Sequence, residues 1–349
     1  MIRSKTVFII GAGAGFDLGM PLGDQLSRII GEKLNIKFKS GGYEQASGDF
    51  EIMDALRRVS GLEKVNVNEY ITSGWGVAEG VGFSRSIDSY LNAHTGNEKV
   101  KTCAKLGIVK TILEAERHCA VYIDHRNSRL EFKDRAAVMI SWLQSFMFLL
   151  QDRVQKQNDL SKIFENVKII NFNYDRCVEQ FLWLALQKVF AIGAEQAADL
   201  VNTLPIIHPY GVVGCLNWQP GLRIGFGEEI HPHRLIDVAL KIRTFNEQIE
   251  DEDALSNMAE WISDASRLVF LGFHFHDQNM ELLRSKLPAR GGLVNIYCTG
   301  VDRSDSDLHI IHSQISEMLS SRGGTHKICI ERRWDCSGLF KEFGTAMAR

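Results

Sequence analysis

The chain has 349 residues, 45% of them hydrophobic, which is enough for a large core in one big domain or two small ones. Its 40 Lys and Arg against 43 Asp and Glu leave a formal net charge of −3, so there is no chain-wide basic footprint for nucleic acid. The opening Met1-Ile2-Arg3-Ser4-Lys5 leads straight into an apolar run without a signal-like segment, and residues 136–150 are interrupted by Ser141, Gln144 and Ser145. Neither secretion nor a membrane span, which takes about 20 apolar residues, is expected. The first element is a short buried strand over residues 6–10, ended by Gly11-Ala12-Gly13-Ala14-Gly15 and then Gly19-Met20-Pro21. A helix follows over 22–34, with Leu26, Ile29, Ile30 and Leu34 on its apolar face. Residues 41–98 read as irregular, with one short helix beginning at Ser86. Residues 99–156 read as helices, with Leu106, Val109, Ile112 and Leu113, and later Ile140, Leu143 and Phe146, at helical spacing.

The strand pattern resumes at 167–171 and runs into Asn171-Phe172-Asn173-Tyr174-Asp175, followed by a helix over 177–190. Ile206-Ile207 leads into His208-Pro209-Tyr210-Gly211. Further strands are expected at 268–271, ending at Gly272, at 294–298 and at 327–330, with helices at 277–287, 307–319 and 339–347. Strands alternating with helices predict an α/β Rossmann-like doubly wound parallel sheet with a mostly helical insertion. Residues 1–34 and 161–349 form the core in this reading, and 35–160 the inserted subdomain.

The 7 cysteines include no C-x-x-C pair, which suits reduced thiols in a cytoplasm. His231-Pro232-His233 and His274-Phe275-His276 have no companion ligand pair, so no metal is expected. Gly11 and Gly13 begin a dinucleotide fingerprint, but Phe16 stands at its third glycine and no acidic residue ends a second strand about 20 positions on. Hydride transfer is therefore a poor fit. The loop still offers glycines where a diphosphate could approach, or it is simply a tight turn. An Asn has a donor and an acceptor end for a ribose hydroxyl and a water. A His can take a proton near neutral pH.

The run Gly11-Ala12-Gly13-Ala14-Gly15-Phe16-Asp17-Leu18-Gly19-Met20-Pro21 resembles the opening of the sirtuin family, where G-A-G is followed by a G-[IL]-P turn. Asn171-Phe172-Asn173-Tyr174-Asp175 resembles that family's T-x-N-x-D segment, and His208 the histidine of its H-G motif. Leu271-Gly272-Phe273-His274 stands where its strand-to-glycine turn falls. Val294-Asn295-Ile296 to Thr299 resembles the late strand that holds the adenine ribose. The paired cysteines of the sirtuin zinc ribbon are missing, Pro209 and Tyr210 break the H-G pair, and Gly15 stands where Ser is common. In these departures the chain is similar to sirtuin-like NAD-degrading domains of bacterial anti-phage defence systems, as are Ser86-Ile87-Asp88-Ser89-Tyr90-Leu91 and residues 112–116.

The resemblance implies an NAD+ glycohydrolase with NAD+ as substrate, Asn173 and His208 as catalytic pair, and Asp175 shaping the site. Gly11, Ala12, Gly13, Gly15, Gly19, Asp88, Gly272, His274, Asn295 and Thr299 would bind the nucleotide. The alternatives are a protein deacylase, an ADP-ribosyltransferase or a non-catalytic NAD or ADP-ribose sensor. Asp175 and Asp88 also stand where helix caps are favoured, and His276-Asp277 could merely begin a helix. An NAD-degrading enzyme needs a gate. With only Ala348 and Arg349 after the last expected helix, that gate is expected from self-assembly, with Trp142, Phe146, Phe148 and Leu149 as its surface. A separately encoded ATPase, helicase or nucleic-acid-sensing partner would supply the rest.

Overall fold

The computed structural model describes residues 2–40, 44–124, 129–152, 154, 157–284 and 287–349. The chain begins with β1 (Thr6–Ile10), a 3-10 turn over Ala12–Leu18, and α1 (Gly23–Leu34). A small antiparallel ribbon of β2 (Lys37–Phe38) and β3 (Gln45–Ser47) comes next. Six helices follow: α2 (Phe50–Glu63), α3 (Val67–Gly80), α4 (Ile87–Ala93), α5 (Glu98–His118), α6 (Arg135–Ile140) and α7 (Trp142–Gln151). β4 (Val167–Asn171), α8 (Cys177–Phe190), α9 (Ala194–Asn202) and β5 (Ile206–Ile207) come next, then α10 (Pro232–Ala239), α11 (Phe245–Ile249) and α12 (Glu252–Asp264). The chain closes with β6 (Arg267–Leu271), α13 (Asp277–Arg284), β7 (Leu293–Thr299), α14 (Asp305–Met318), β8 (Thr325–Glu331) and α15 (Cys336–Ala348).

Six strands form one parallel sheet in the order β5-β4-β1-β6-β7-β8. β1 is central, and all five of its residues are buried. Its unbroken apolar sequence, with no alternation, is what a strand covered on both faces requires. The chain steps outward from β1 to β4 and β5, then returns to build β6, β7 and β8 on the other side. Right-handed crossovers place helices on both faces of such a sheet. The winding reverses at β1, so a crevice opens at the carboxyl ends of β1 and β6. This is the doubly wound α/β architecture that the alternation of elements predicts.

Residues 41–98 hold more helix than expected. α2 starts at Asp49, whose carboxylate accepts the Ile52 N–H at 3.0 Å, and buries Ile52, Met53, Leu56 and Val59. α3 starts at Asn66 and buries Tyr70, Ile71, Gly74 and Val77. Both bury residues at a helical period, but Gly74, Gly76 and Gly80 dilute the signal in α3. α9 to α12 also occupy stretches with no expected element. The expected end at Lys156, and residues 285–286 of the helix expected over 277–287, lie outside the described residues.

The helical segment packs into the same core as the sheet. Phe146 meets Phe8 of β1 edge-on at 5.0 Å, Trp142 stacks on Phe340 of α15, and the Trp142 Nε1–H donates to the Ala14 carbonyl at 2.8 Å. Trp142, Phe146 and Leu149 are therefore buried, and of the four side chains expected on an assembly surface only Phe148 is exposed. Trp142 faces α15 and Phe146 faces β1, because α7 packs against both. Among the described residues no helix is long and apolar enough to cross a membrane.

Candidate active site

The glycine turn holds two strand ends together. The Gly11 N–H donates to the Leu271 carbonyl, the Gly13 N–H to the Gly272 carbonyl and the Ala14 N–H to the Gly11 carbonyl, each at 3.0 Å. A Cβ on Gly13 would lie 2.8 Å from the Gly272 Cα, and one on Gly272, whose φ is +55°, would lie 2.0 Å from the Ala14 nitrogen. These glycines let β1 and β6 close on each other, and their amides are used inside the protein. Gly15 packs on Met20, and Gly19 ends the 3-10 turn with φ +85°. Gly11 and Ala12 line a cleft with about 1180 Å³ of empty space.

The end of β4 forms the facing wall. The buried Asn171 side chain accepts the Asn173 N–H at 3.1 Å, and the Asn173 Nδ2 donates to the Gly11 carbonyl at 3.2 Å. Asn173 is thus pinned to the glycine turn while lining the cleft. Asp175 also lines it, but its Oδ1 accepts the Cys177 N–H at 3.0 Å, at the start of α8. Burial pushes its carboxyl up, with Glu116 and Glu179 adding to the shift against the Cys177 hydrogen bonds.

His208 stands one layer behind that wall. Its Nδ1 lies 2.9 Å from the Asn173 carbonyl and its Nε2 lies 3.1 Å from Glu179 Oε1. Both ring nitrogens are thus engaged by oxygens of the protein itself. Burial pulls its pKa down, but Glu179 and the Asn173 carbonyl outweigh that and the net shift is upward. His208 is not among the residues that line the cleft; its ring lies against the Asn173 backbone and Glu179.

Asp88 is different. Ser86 caps α4, its Oγ accepting the Ser89 N–H, which leaves the Asp88 carboxyl free to face the cleft and accept the Tyr174 hydroxyl proton. Burial raises the Asp88 pKa to about 6, against the Tyr174 hydrogen bond. Tyr210 lines the same wall, and its hydroxyl donates to Asn279 Oδ1 at 2.7 Å. Tyr174, Tyr210, Gln278 and Asn279 have no role in the sequence reading. The available signal was the insertion of Pro209 and Tyr210 into the histidine motif, which places a tyrosine in the wall.

A second chamber of about 1100 Å³ opens on the β6–β7 side, between Gly13, Gly272, Thr299, Asp17, Asp302, Arg303 and Asp335. Leu22, Phe273 and His274 line both chambers and mark their junction. The Thr299 Oγ1 accepts the Gly272 N–H at 2.9 Å and fixes the turn. Burial and the charges of Arg303 and His276 lower the His274 pKa to about 4, so it is neutral near pH 7. Asn295 lies in the first half of β7. It pairs with Arg267, the first residue of β6, four positions before Thr299. At about 3.3 Å per residue it sits roughly 13 Å along the strand from Thr299.

Where a paired-cysteine ribbon would follow, residues 211–230 are tied instead to a buried ion pair. Arg176 meets Glu116 with both side chains fully buried, and donates further to the Ile224 and Gly225 carbonyls. Glu116 also accepts the Gly227 N–H at 3.0 Å. Among the described residues no cluster of three or more His, Cys, Asp or Glu could hold a metal ion.

The two-chambered cleft lies at the switch point of the doubly wound sheet, where open α/β sheets bind their ligands. Residues 167–314 match the model of the SIR2-like domain family. Members of that family are NAD-dependent enzymes, which points this cleft to NAD-related chemistry. The match spans β4 to the middle of α14 and includes Asn173, Asp175, His208, Gly272, His274 and Thr299; the glycine turn and Asp88 lie outside it. No curated protein and no solved structure matches the chain.

Proposed function

We propose that this protein is an NAD+ glycohydrolase, which cleaves NAD+ with water to nicotinamide and ADP-ribose. The observation that carries the reading is the meeting of Asn173, Asp88 and Tyr174 under the glycine turn, at the switch point of a fold whose residues 167–314 match the SIR2-like domain model. The bond from the ribose C1′ to the nicotinamide nitrogen breaks, its electron pair leaves with nicotinamide, and the sugar passes through an oxocarbenium-like state. Water adds to C1′ and loses one proton. The Asn173 amide, fixed through Nδ2, presents its oxygen to a ribose hydroxyl or the water. The Asp88 carboxylate, formed as pH rises through about 6, takes the proton and stabilises the developing positive charge. His208 and Glu179 hold Asn173 in place from behind.

In this reading the enzyme serves as a toxic effector in anti-phage defence by depleting NAD+, gated by self-assembly and a separately encoded partner. That part rests on the resemblance of its motifs to such domains. Purified protein incubated with NAD+, with products separated by chromatography, tests the activity. Nicotinamide and ADP-ribose should appear in equal amounts, and Asn173→Ala should lower the rate by about 10²–10⁴, the usual loss for a group acting on the reacting centre. A folded Asn173→Ala protein that works at the parent rate would overturn the site assignment.

A further inference from the structure

The two chambers show a charge pattern that the glycine turn does not explain. Asp88 and Asn173 line the first chamber, and Asp17, Asp302 and Asp335 line the second. Carboxylates and amides suit sugar hydroxyls, which donate hydrogen bonds. At the junction the pattern changes. Arg85, just before α4, lines the first chamber together with His274 and His276, while Arg303, after β7, lines the second together with His274. The two histidine rings stand 5.5 Å apart at the shared edge. His276 feels the charge of both arginines, which places both near this one turn. Among the described residues neither arginine makes an ion pair or a side-chain hydrogen bond. Arg85 is exposed and Arg303 half-buried.

An anion at the junction therefore meets two guanidinium groups that are not already committed. It does not meet the amides of Gly11, Gly13 and Ala14, whose protons point at carbonyls of the protein itself. We infer that Arg85 and Arg303 form a side-chain clamp, one from each chamber, for the diphosphate of a ligand whose two sugars occupy the chambers on either side. The guanidinium fork matches phosphate oxygens in pairs and keeps its charge at any physiological pH. The neutral His274 and His276 supply ring edges beside it without adding charge. The ligand class is thus a dinucleotide or a nucleoside diphosphate sugar, and the glycine turn acts as a spacer that sets the chamber walls. This inference deepens the NAD+ reading but does not depend on hydrolysis.

The test is calorimetry on the full chain with ADP-ribose, ADP and adenosine, on the parent and on Arg85→Ala, Arg303→Ala and the corresponding lysine variants. The parent should bind ADP-ribose more tightly than adenosine, with affinity that falls as salt is raised. Each alanine variant should lose about tenfold to a hundredfold for ADP-ribose, as expected for a lost charge-assisted contact. Adenosine binding should be unchanged, and lysine should restore part of the loss. Alanine variants that bind ADP-ribose like the parent would overturn the clamp and leave the NAD+ reading standing. Equal losses for adenosine and ADP-ribose would also overturn it, since they would report a damaged chamber. A parent that binds ADP-ribose through both arginines but releases no nicotinamide from NAD+ would support the clamp while removing the glycohydrolase. A parent that binds no diphosphate would remove both.

Discussion

Two carboxyl groups and one imidazole show how environment assigns roles to side chains. Asp88 and Asp175 both line the cleft, yet Asp175 is committed to the start of α8 and Asp88 to a tyrosine hydroxyl. A carboxyl whose folded pKa is raised to about 6 retains its proton where the unfolded chain has lost it. Stability therefore falls as pH rises between about 3.8 and 6, and the cost of the buried charge persists above that window. Asp88→Asn should raise the melting temperature at pH 7.5 while lowering NAD+ cleavage and removing an acid limb near pH 6 from the rate profile. A variant that is less stable and keeps that limb would refute the base assignment. His208 has a linkage of the same sign. Its folded pKa is raised, so its pairing with Glu179 stabilises fully below about pH 6.5 and the contribution is lost as pH rises through the folded value. The stability gap between the parent and His208→Gln, measured by urea unfolding, should be widest in mild acid and shrink above neutrality. A gap independent of pH would show that the ring packs without its charge.

Among the elements, the junction of β1 with β6 carries the most constraint. Gly13 and Gly272 bring two strand ends together so closely that neither has room for a methyl group. Acidic substitution at Gly13 would therefore disturb the fold before it repelled any phosphate. Gly272→Ala faces both a Cβ 2.0 Å from the Ala14 nitrogen and a left-handed backbone. It should destabilise the protein by about 1–3 kcal/mol or more, as overpacked sites do, seen as a lower midpoint in denaturant. An unchanged midpoint would mean that the strands can part at no cost. The Thr299 hydroxyl, which accepts the Gly272 N–H, extends this brace to β7. The element that carries nucleotide contacts in the sequence reading is thus also the element that closes the sheet.

At the scale of the whole molecule, assembly is the remaining question. The buried Trp142, Phe146 and Leu149 bind α7 to the sheet and to α15, which removes them from any interface between copies. Exposed apolar side chains on this region are Met139, Ile140 and Phe148. If the enzyme is gated by self-assembly, light scattering should give a species heavier than 39.3 kDa, with activity rising on concentration. A strictly monomeric protein with full activity would remove that model of control.

Much of the architecture was legible in the chain because it depends on short-range pattern. The apolar run at 6–10, the Val167, Ile169 and Ile170 pattern within 167–171 and the periodic face of 177–190 mark β1, β4 and α8 at the bounds the structure shows. Their alternation leads to a doubly wound sheet because right-handed crossovers leave few other arrangements. Periodicity failed where glycine diluted it, as in α3. The facing of the cleft was decided by contacts far apart in sequence. Asp88 reaches Tyr174 across 86 positions and Tyr210 reaches Asn279 across 69. No local pattern encodes such pairs. Burial shifts Asp88, and Glu179 with the Asn173 carbonyl shifts His208 against its burial; both surroundings exist only once the chain has closed around them.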